Sequence, residues 1–258
     1  MTAGGSVGVL HVHSDYSHDG RDPLERLGAF GRERGLAFVC LTDHAEDLTR
    51  EGFDRYVREC AQHSGDGVRL IPGLEFRFEG FPGLHLLALG LEAWIEPATP
   101  DEFIELAPPV SGLTIMAHPM LARYRLPESV RRGIGAIEVW NAGYDTRYLP
   151  DPRAFELFSR VSRERPDLLA VAGLDQHDAG NDRGIRVVLE RPGAENPVME
   201  LRAGRFTNRG VTLHFGARPA WGSMRLNALK ALRRGLGGVE RLHEGLLRAR
   251  RQRKRGLT

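Results

Sequence analysis

Short apolar runs alternate along this chain with stretches whose apolar residues recur at helical spacing. Residues 7–12 read as a buried strand. Residues 23–34 follow as a helix with Leu24, Leu27 and Phe30 on one face. The next pair is a strand over 36–41 and a helix over about 54–62, and then come strands at 68–71 and 85–91, separated by a Gly/Pro-rich turn. A helix near 101–107 leads into a strand at 113–117. A strand at 134–139, a helix over 152–163 and strands at 168–172 and 185–189 complete the pattern, before a closing helix and turn over 196–205. Such alternation predicts a parallel-sheet α/β fold. Six or seven strands with no dinucleotide fingerprint favour a barrel over a doubly wound sheet, and 258 residues suffice for one full-sized core.

Charge divides the chain where periodicity does not. Residues 1–204 carry 22 Arg/Lys against 32 Asp/Glu, a net −10, whereas residues 205–258 carry 14 against 2, a net +12. This predicts an acidic body followed by a basic C-terminal extension with its own contact surface. Ser223 is a suitable N-cap for a helix bearing Leu226, Leu229 and Leu232. Amphipathic helices with a solvated charged face are the leading account of this basic stretch, and the terminal cluster Arg248 to Arg255 would also suit neutralisation of nucleic-acid phosphates. No apolar stretch approaches the roughly 20 residues that span a bilayer. Two cysteines, Cys40 and Cys60, are too few for a disulfide framework, and the first six residues lack a secretory pattern, so the expected location is the cytoplasm.

The chemistry gathers at the ends of the apolar runs. His11 and His13 lie two residues apart, and strand alternation places both imidazoles on one face, a good grip for a borderline divalent metal. Ligand types recur in Thr42-Asp43-His44, Gly73-Leu74-Glu75, His85, Ala117-His118-Pro119 and Asp175-Gln176-His177. Each has an ordinary explanation alone: a core histidine at His85, a turn before proline at His118, a Glu75–Arg77 ion pair. Together these explanations demand many independent coincidences at strand ends, where barrel enzymes place their active sites.

The ordered set His11-Val12-His13-Ser14, Ser17-His18-Asp19-Gly20, Leu41-Thr42-Asp43-His44, Pro72-Gly73-Leu74-Glu75, His85-Leu86-Leu87, Ala117-His118-Pro119 and Gly173-Leu174-Asp175-Gln176-His177 resembles the PHP superfamily. This is the polymerase and histidinol phosphatase group of metal-dependent phosphoesterases. The resemblance implies a distorted (β/α)7 TIM-like barrel over residues 1–204 and a trinuclear metal site, with room for three divalent ions and two or three of them bound, Zn, Mn or Fe. His11, His13, Glu75 and Asp175 would hold the first ion; Glu75 would bridge to a second, completed by His85 and His118; Asp19, His44 and His177 would hold a third. The family often has aspartate five residues after the second histidine, where this chain has His18. The resemblance points to the next residue, Asp19, with His18 its competitor. Val9 stands where many relatives are acidic.

The activity so implied is hydrolysis of a phosphate ester on a small metabolite or nucleotide, by a hydroxide bridging the ions. Asp43 is expected to orient an imidazole from outside the ligand set. Arg123 and Arg183 are candidates for bidentate phosphate binding. Glu138, in another family-like segment, either lines the pocket or pairs with an arginine. Two other readings use the same ligands: hydrolysis of a non-phosphate bond such as an amide, and a metal-stabilised module that binds nucleic acid or protein.

Overall fold

The computed structural model describes residues 6–191 and 193–235. The first apolar run is strand β1 (Val7–Val12), and helix α1 (Leu24–Glu33) returns the chain to β2 (Phe38–Leu41). After Thr42 the extended path resumes as β3 (Asp43–His44), and a 3-10 turn leads to helix α2 (Arg50–His63). Strands β4 (Arg69–Ile71) and β5 (Gly73–Arg77) are likewise one path interrupted at Pro72, which has no N–H to give to a ladder. Next come β6 (His85–Leu89), α3 (Pro100–Val110), β7 (Leu113–Met116), α4 (Glu128–Gly133) and β8 (Ala136–Asn141). Helix α5 (Pro152–Val161), β9 (Leu169–Gly173), β10 (Arg186–Leu189), α6 (Pro197–Arg202), β11 (Phe206–Arg209) and β12 (His214–Gly216) follow.

The strands form two six-stranded sheets, ordered β12-β11-β10-β1-β2-β4 and β3-β5-β6-β7-β8-β9, so the fold is mixed α/β and no closed barrel is present among the described residues. The core lies on the inner faces, where alternate residues such as Leu87 and Leu89 of β6, Leu113 and Ile115 of β7, and Val187 and Leu189 of β10 meet Leu10, Phe38 and Cys40. Fully burying each large aliphatic side chain is worth about 1.5–3 kcal/mol. Helix α2 begins about a turn earlier than its apolar pattern. Thr49 caps it by accepting the Gly52 N–H at 3.1 Å, a signal that periodicity does not carry.

Three expectations change. The sheets are not parallel throughout: β6 runs antiparallel to both β5 and β7. The seven residues between β5 and β6 are too few for a crossover helix, so the chain turns back as a hairpin. Strand β1 is not regular either. Its register against β2 slips by one residue between Val9 and Val12, and His11 has φ 64°. This is a bulge, and it ends the simple alternation expected of His11 and His13. Finally, β11 and β12 lie in the stretch assigned to the helical extension, yet they pair antiparallel onto β10 and belong to the first sheet.

The chain divides into two compact units, Met1–Ala220 and Trp221–Thr258. In the second, residues 223–235 are helical, as the Ser223 cap and the leucine spacing predict. The cluster Arg248 to Arg255, with its nucleic-acid reading, lies outside the described residues. No described helix is long and apolar enough to cross a membrane.

Candidate metal centre

Glu75 organises the site. It is fully buried on β5, and its two oxygens face different imidazoles. Oε1 lies 2.5 Å from His85 Nδ1 and 3.1 Å from His118 Nε2. Oε2 lies 3.4 Å from His11 Nε2, 3.3 Å from His13 Nε2 and 3.7 Å from His44 Nδ1. Antiparallel β6 explains why His85 takes part. It opens its strand opposite Arg77, so the start of β6 lies at the same edge as the end of β5. The other ligands were expected at strand C-termini; this one reaches the same edge from an N-terminus.

Asp175 adds a second carboxylate, its Oδ1 3.4 Å from His11 Nε2 and 3.6 Å from His13 Nε2. Asp19 adds a third, its Oδ2 3.2 Å from both His44 Nε2 and His177 Nε2. Three groups of donor atoms fall close enough to share an ion: His13 with Asp19, His44 and His177; His11 with Glu75 and His118; and His11 with His13 and Asp175. Buried His13 Nε2, His44 Nδ1 and Asp19 Oδ1 have no hydrogen-bond partner. Burying such atoms unpaired is costly, and a divalent cation is the partner their chemistry suits. The residues present fit the implied metals.

The backbone is strained at three of the candidate ligands. His11 (φ 64°), His118 (φ 23°) and Asp175 (φ 49°) all adopt positive φ. Each costs about 1–3 kcal/mol and persists only where surrounding contacts enforce it. His118 precedes a proline, which ordinarily pushes a residue to extended geometry. Here Glu138 Oε2 accepts the His118 N–H at 2.7 Å and holds the departure.

Two polar networks aim the imidazoles. His11 Nδ1 donates to Glu138 Oε1 at 2.9 Å, which aims its Nε2 at the cluster. Asn141 Nδ2 donates to Glu138 at 2.7 Å and to Asp175 Oδ2 at 3.2 Å, tying both carboxylates together. Glu138 thus pairs with no arginine among the described residues; it lies buried in the wall of a small cavity beside His118, Asn141 and Tyr144. Asp43 works at one remove. It accepts from the Ser14 N–H, Ser14 Oγ and Ser17 Oγ, and Ser17 Oγ in turn lies 3.3 Å from His13 Nδ1. Asp43 therefore reaches His13 through a serine, rather than its neighbour His44.

Asp19 and His18 separate cleanly. His18 is exposed, with its ring nitrogen and its backbone N–H both bonded to Asp47 Oδ2, while Asp19 points to the cluster. Arg183 lines a cavity of about 380 Å3 beside the cluster, together with Asp19, Arg21, Tyr144, Asp175 and His177. Its guanidinium also donates to the Ala142 carbonyl. Arg123 is exposed, in a left-handed turn (φ 51°), and is not part of that wall. Arg77, read as a partner for Glu75, instead lies 2.9 Å from His44 Nε2 and pairs with Glu46. Tyr144 went unnoticed in the sequence because aromatics carry no ligand signal; its ring stands edge-on to His118 at 5.1 Å.

Electrostatics couple the site to protons. Burial opposes charge on both His11 and His118, but Glu138 and Asp175 beside the first and Glu75 beside the second hold both imidazoles above their ordinary range. Burial likewise opposes charge on Glu75, yet hydrogen bonds from His11, His118, His13 and His85 hold its carboxyl well below the usual range. The metal-free site is therefore ionic, with protons where metal must bind. Below the raised imidazole values a cation has to displace those protons, so affinity should weaken as pH falls, and binding at neutral pH should release protons. Calorimetric titration of metal in two buffers of different ionisation enthalpy measures the number. Zero protons released would contradict the ionic description.

Fold and site together define a two-sheet α/β protein built around a buried, carboxylate-centred cluster of histidines that could hold divalent metal. The model of the PHP domain family matches residues 10–128 of this chain. Asn141, Gly173, Asp175 and His177 lie beyond the matched stretch, and so does Glu138. A search of curated proteins gave no match. Among solved structures, the chain is similar to a putative metal-dependent phosphoesterase from Bifidobacterium adolescentis, with 17% identity over 69% of this chain and 90% of that one, and TM-score 0.50. It is similar to PsfC from Pseudomonas syringae, at 17% identity over 90% and 98% and TM-score 0.53. An amidohydrolase from Chromobacterium violaceum, with bound sulfate and no metal, matches at 17% identity over 77% and 96%, and TM-score 0.48. Likeness at such identity concerns the fold alone.

Proposed function

We propose that the chain is a metal-dependent phosphoesterase acting on a small phosphorylated metabolite or nucleotide. The observation that carries this reading is the division of Glu75, one oxygen toward His85 and His118 and the other toward His11, His13 and His44. A carboxylate so placed suits a bridge between neighbouring cations. On this reading His11, His13, Glu75 and Asp175 hold one ion, Glu75, His85 and His118 a second, and Asp19, His44 and His177 a third. Bound ions would supply Lewis acidity, lowering the pKa of water and neutralising charge on the phosphoryl oxygens. The chain's own groups do the rest: Glu138 and the Ser17–Asp43 pair hold the imidazoles in one tautomer, and Arg183 in the cavity wall takes a phosphate oxygen.

The same proposal reads the two sheets as halves of a distorted seven-stranded barrel. Support comes from the continuity of β2 with β3 and of β4 with β5, and from hydrogen bonds that tie the chain after β9 to β1. The Leu174 N–H meets the Leu10 carbonyl at 2.9 Å, and the His13 N–H meets the Gln176 carbonyl at 2.9 Å. We retain the cytoplasm as its setting; both cysteines are free and buried.

The test is release of phosphate from a panel of phosphomonoesters and phosphodiesters by protein reconstituted with Zn, Mn or Fe, beside an amide panel and a His13→Ala control. Ester hydrolysis that depends on metal and on His13 is the expected result. Turnover of amides alone would replace this reading with the amidase one, and no turnover with any metal would sink both.

A further inference from the structure

The metal centre lies past the C-terminal ends of β7, β8 and β9; a second cavity, of about 260 Å3, lies at their N-terminal ends. Ser111 and Thr114 border it at the start of β7, and Arg165, Asp167, Arg202 and Arg218 complete its polar wall. At roughly 3.3 Å per residue, the five steps from Leu113 to His118 separate the two sites by about 16 Å. Nothing in the hydrolytic reading uses this end of the fold.

Its charge is unbalanced. Arg165 is already spent: Nε and Nη2 bond Asp167 at 2.9 and 2.6 Å, and its remaining N–H groups reach the carbonyls of Arg131, Arg132 and Ile134. That pair cancels the wall's one carboxylate. Arg202 and Arg218 form no ion pair among the described residues; Arg218 acts on Asp167 only through space, so the wall, with three arginines and one carboxylate, keeps two positive charges in excess. Arg218 is held in place, since its guanidinium packs so closely on Gly204 (φ 71°) that a Cβ there would lie 2.5 Å from Nη1. Independently, Ser111 lines the cavity with only 7% of its surface exposed, and its hydroxyl has no partner. A buried unpaired hydroxyl costs about 1–3 kcal/mol unless a ligand completes it.

We propose that this cavity binds a small dianionic oxyanion, a phosphate or a dicarboxylate. Arg202 and Arg218 take its oxygens in their planar forks, and Ser111 Oγ donates to it. The volume is below that of ordinary drug-sized pockets, which start near about 300 Å3, and so suits a ligand of few heavy atoms. Leu113 and Leu169 close its apolar side.

The test is calorimetric titration of inorganic phosphate, and separately of malonate, into the metal-stripped full-length chain. Three further proteins are compared: the double variant Arg202→Ala/Arg218→Ala, Ser111→Ala and Glu75→Gln. Wild type and Glu75→Gln should bind at least one probe with a stoichiometry near one. Binding should weaken at least about tenfold in the double variant, as expected for lost charge-assisted hydrogen bonds, and should also weaken in Ser111→Ala. Phosphate alone binding would identify a phosphoryl ligand, and malonate alone a dicarboxylate. Both arginines are exposed, so thermal melts should leave the double variant folded, and Ser111→Ala gives the same readout without altering charge. Equal binding by wild type and double variant, loss in Glu75→Gln alone, or no saturable binding of either probe in the millimolar range would overturn the proposal.

Discussion

Replacing Glu75 by glutamine should strip the protein of most of its bound metal and abolish hydrolysis. The amide keeps the side chain's shape inside β5, so the change isolates charge and donor type. One oxygen becomes an NH2 group that meets imidazole nitrogens as a donor, and the anionic bridge between two sets of histidines disappears. A bridging ligand supports the several kcal/mol of charge stabilisation that metal ions contribute, so activity should fall on the order of 10^3-fold or more. The metal-free variant should also melt earlier. Surrounding carboxylates raise the basicity of His11 and His118, and removing the charge of one buried partner leaves the others uncompensated. Elemental analysis after reconstitution and a thermal melt of the metal-free protein read the two effects separately. Unchanged metal stoichiometry would show that Glu75 is no bridge.

The residues that meet at the cluster were legible in the sequence because ligand chemistry is spelled by residue type and by position at the end of an apolar run. His13, His44, Glu75, His118 and Asp175 all follow that rule. The structure sets Asp19 beside His44 and His177 and occupies His18 otherwise, for a reason the sequence hides: Asp47 accepts both the His18 backbone N–H and its ring N–H. The antiparallel course of β6 was hidden too, since periodicity gives an apolar run no direction; only the short connection from β5 forces the hairpin. The bulge at His11 has no signature in composition. It arises where β1 changes neighbours, with Val7 and Gly8 pairing to β10 while Leu10 and His11 bond the chain after β9. Strands β11 and β12 were lost to the charge of their surroundings, because a basic stretch reads as surface helix although a sheet edge tolerates it as well.

Glu138 explains how strained ligands stay in register, and its replacement carries the second large effect. One carboxylate accepts three hydrogen bonds: from His11 Nδ1, from the backbone N–H of His118 and from Asn141 Nδ2. It therefore restrains two ligands whose backbones stand at positive φ, and through Asn141 it steadies a third, Asp175. Glu138→Gln can keep at most one acceptor oxygen for these three donors, and its NH2 group must face either His11 or His118. Metal affinity should drop about 10–100-fold, the range seen when partners that orient ligands are removed. Binding should remain measurable, because every ligand survives, which distinguishes this variant from Glu75→Gln. A second substitution reaches the same carboxylate from outside. A Cβ on Gly173 would overlap Glu138 Oε1 and crowd His11 Cβ, so Gly173→Ala must displace the carboxylate and its hold on His11 without altering any polar group. Both variants should weaken metal binding in competition titrations against a chelator, and both should lower the number of protons released on binding, since His11 loses the neighbour that raises its basicity. If Gly173→Ala binds metal as tightly as wild type while Glu138→Gln does not, the effect of Glu138 is one of charge at a distance and not of holding His11 and His118 in place.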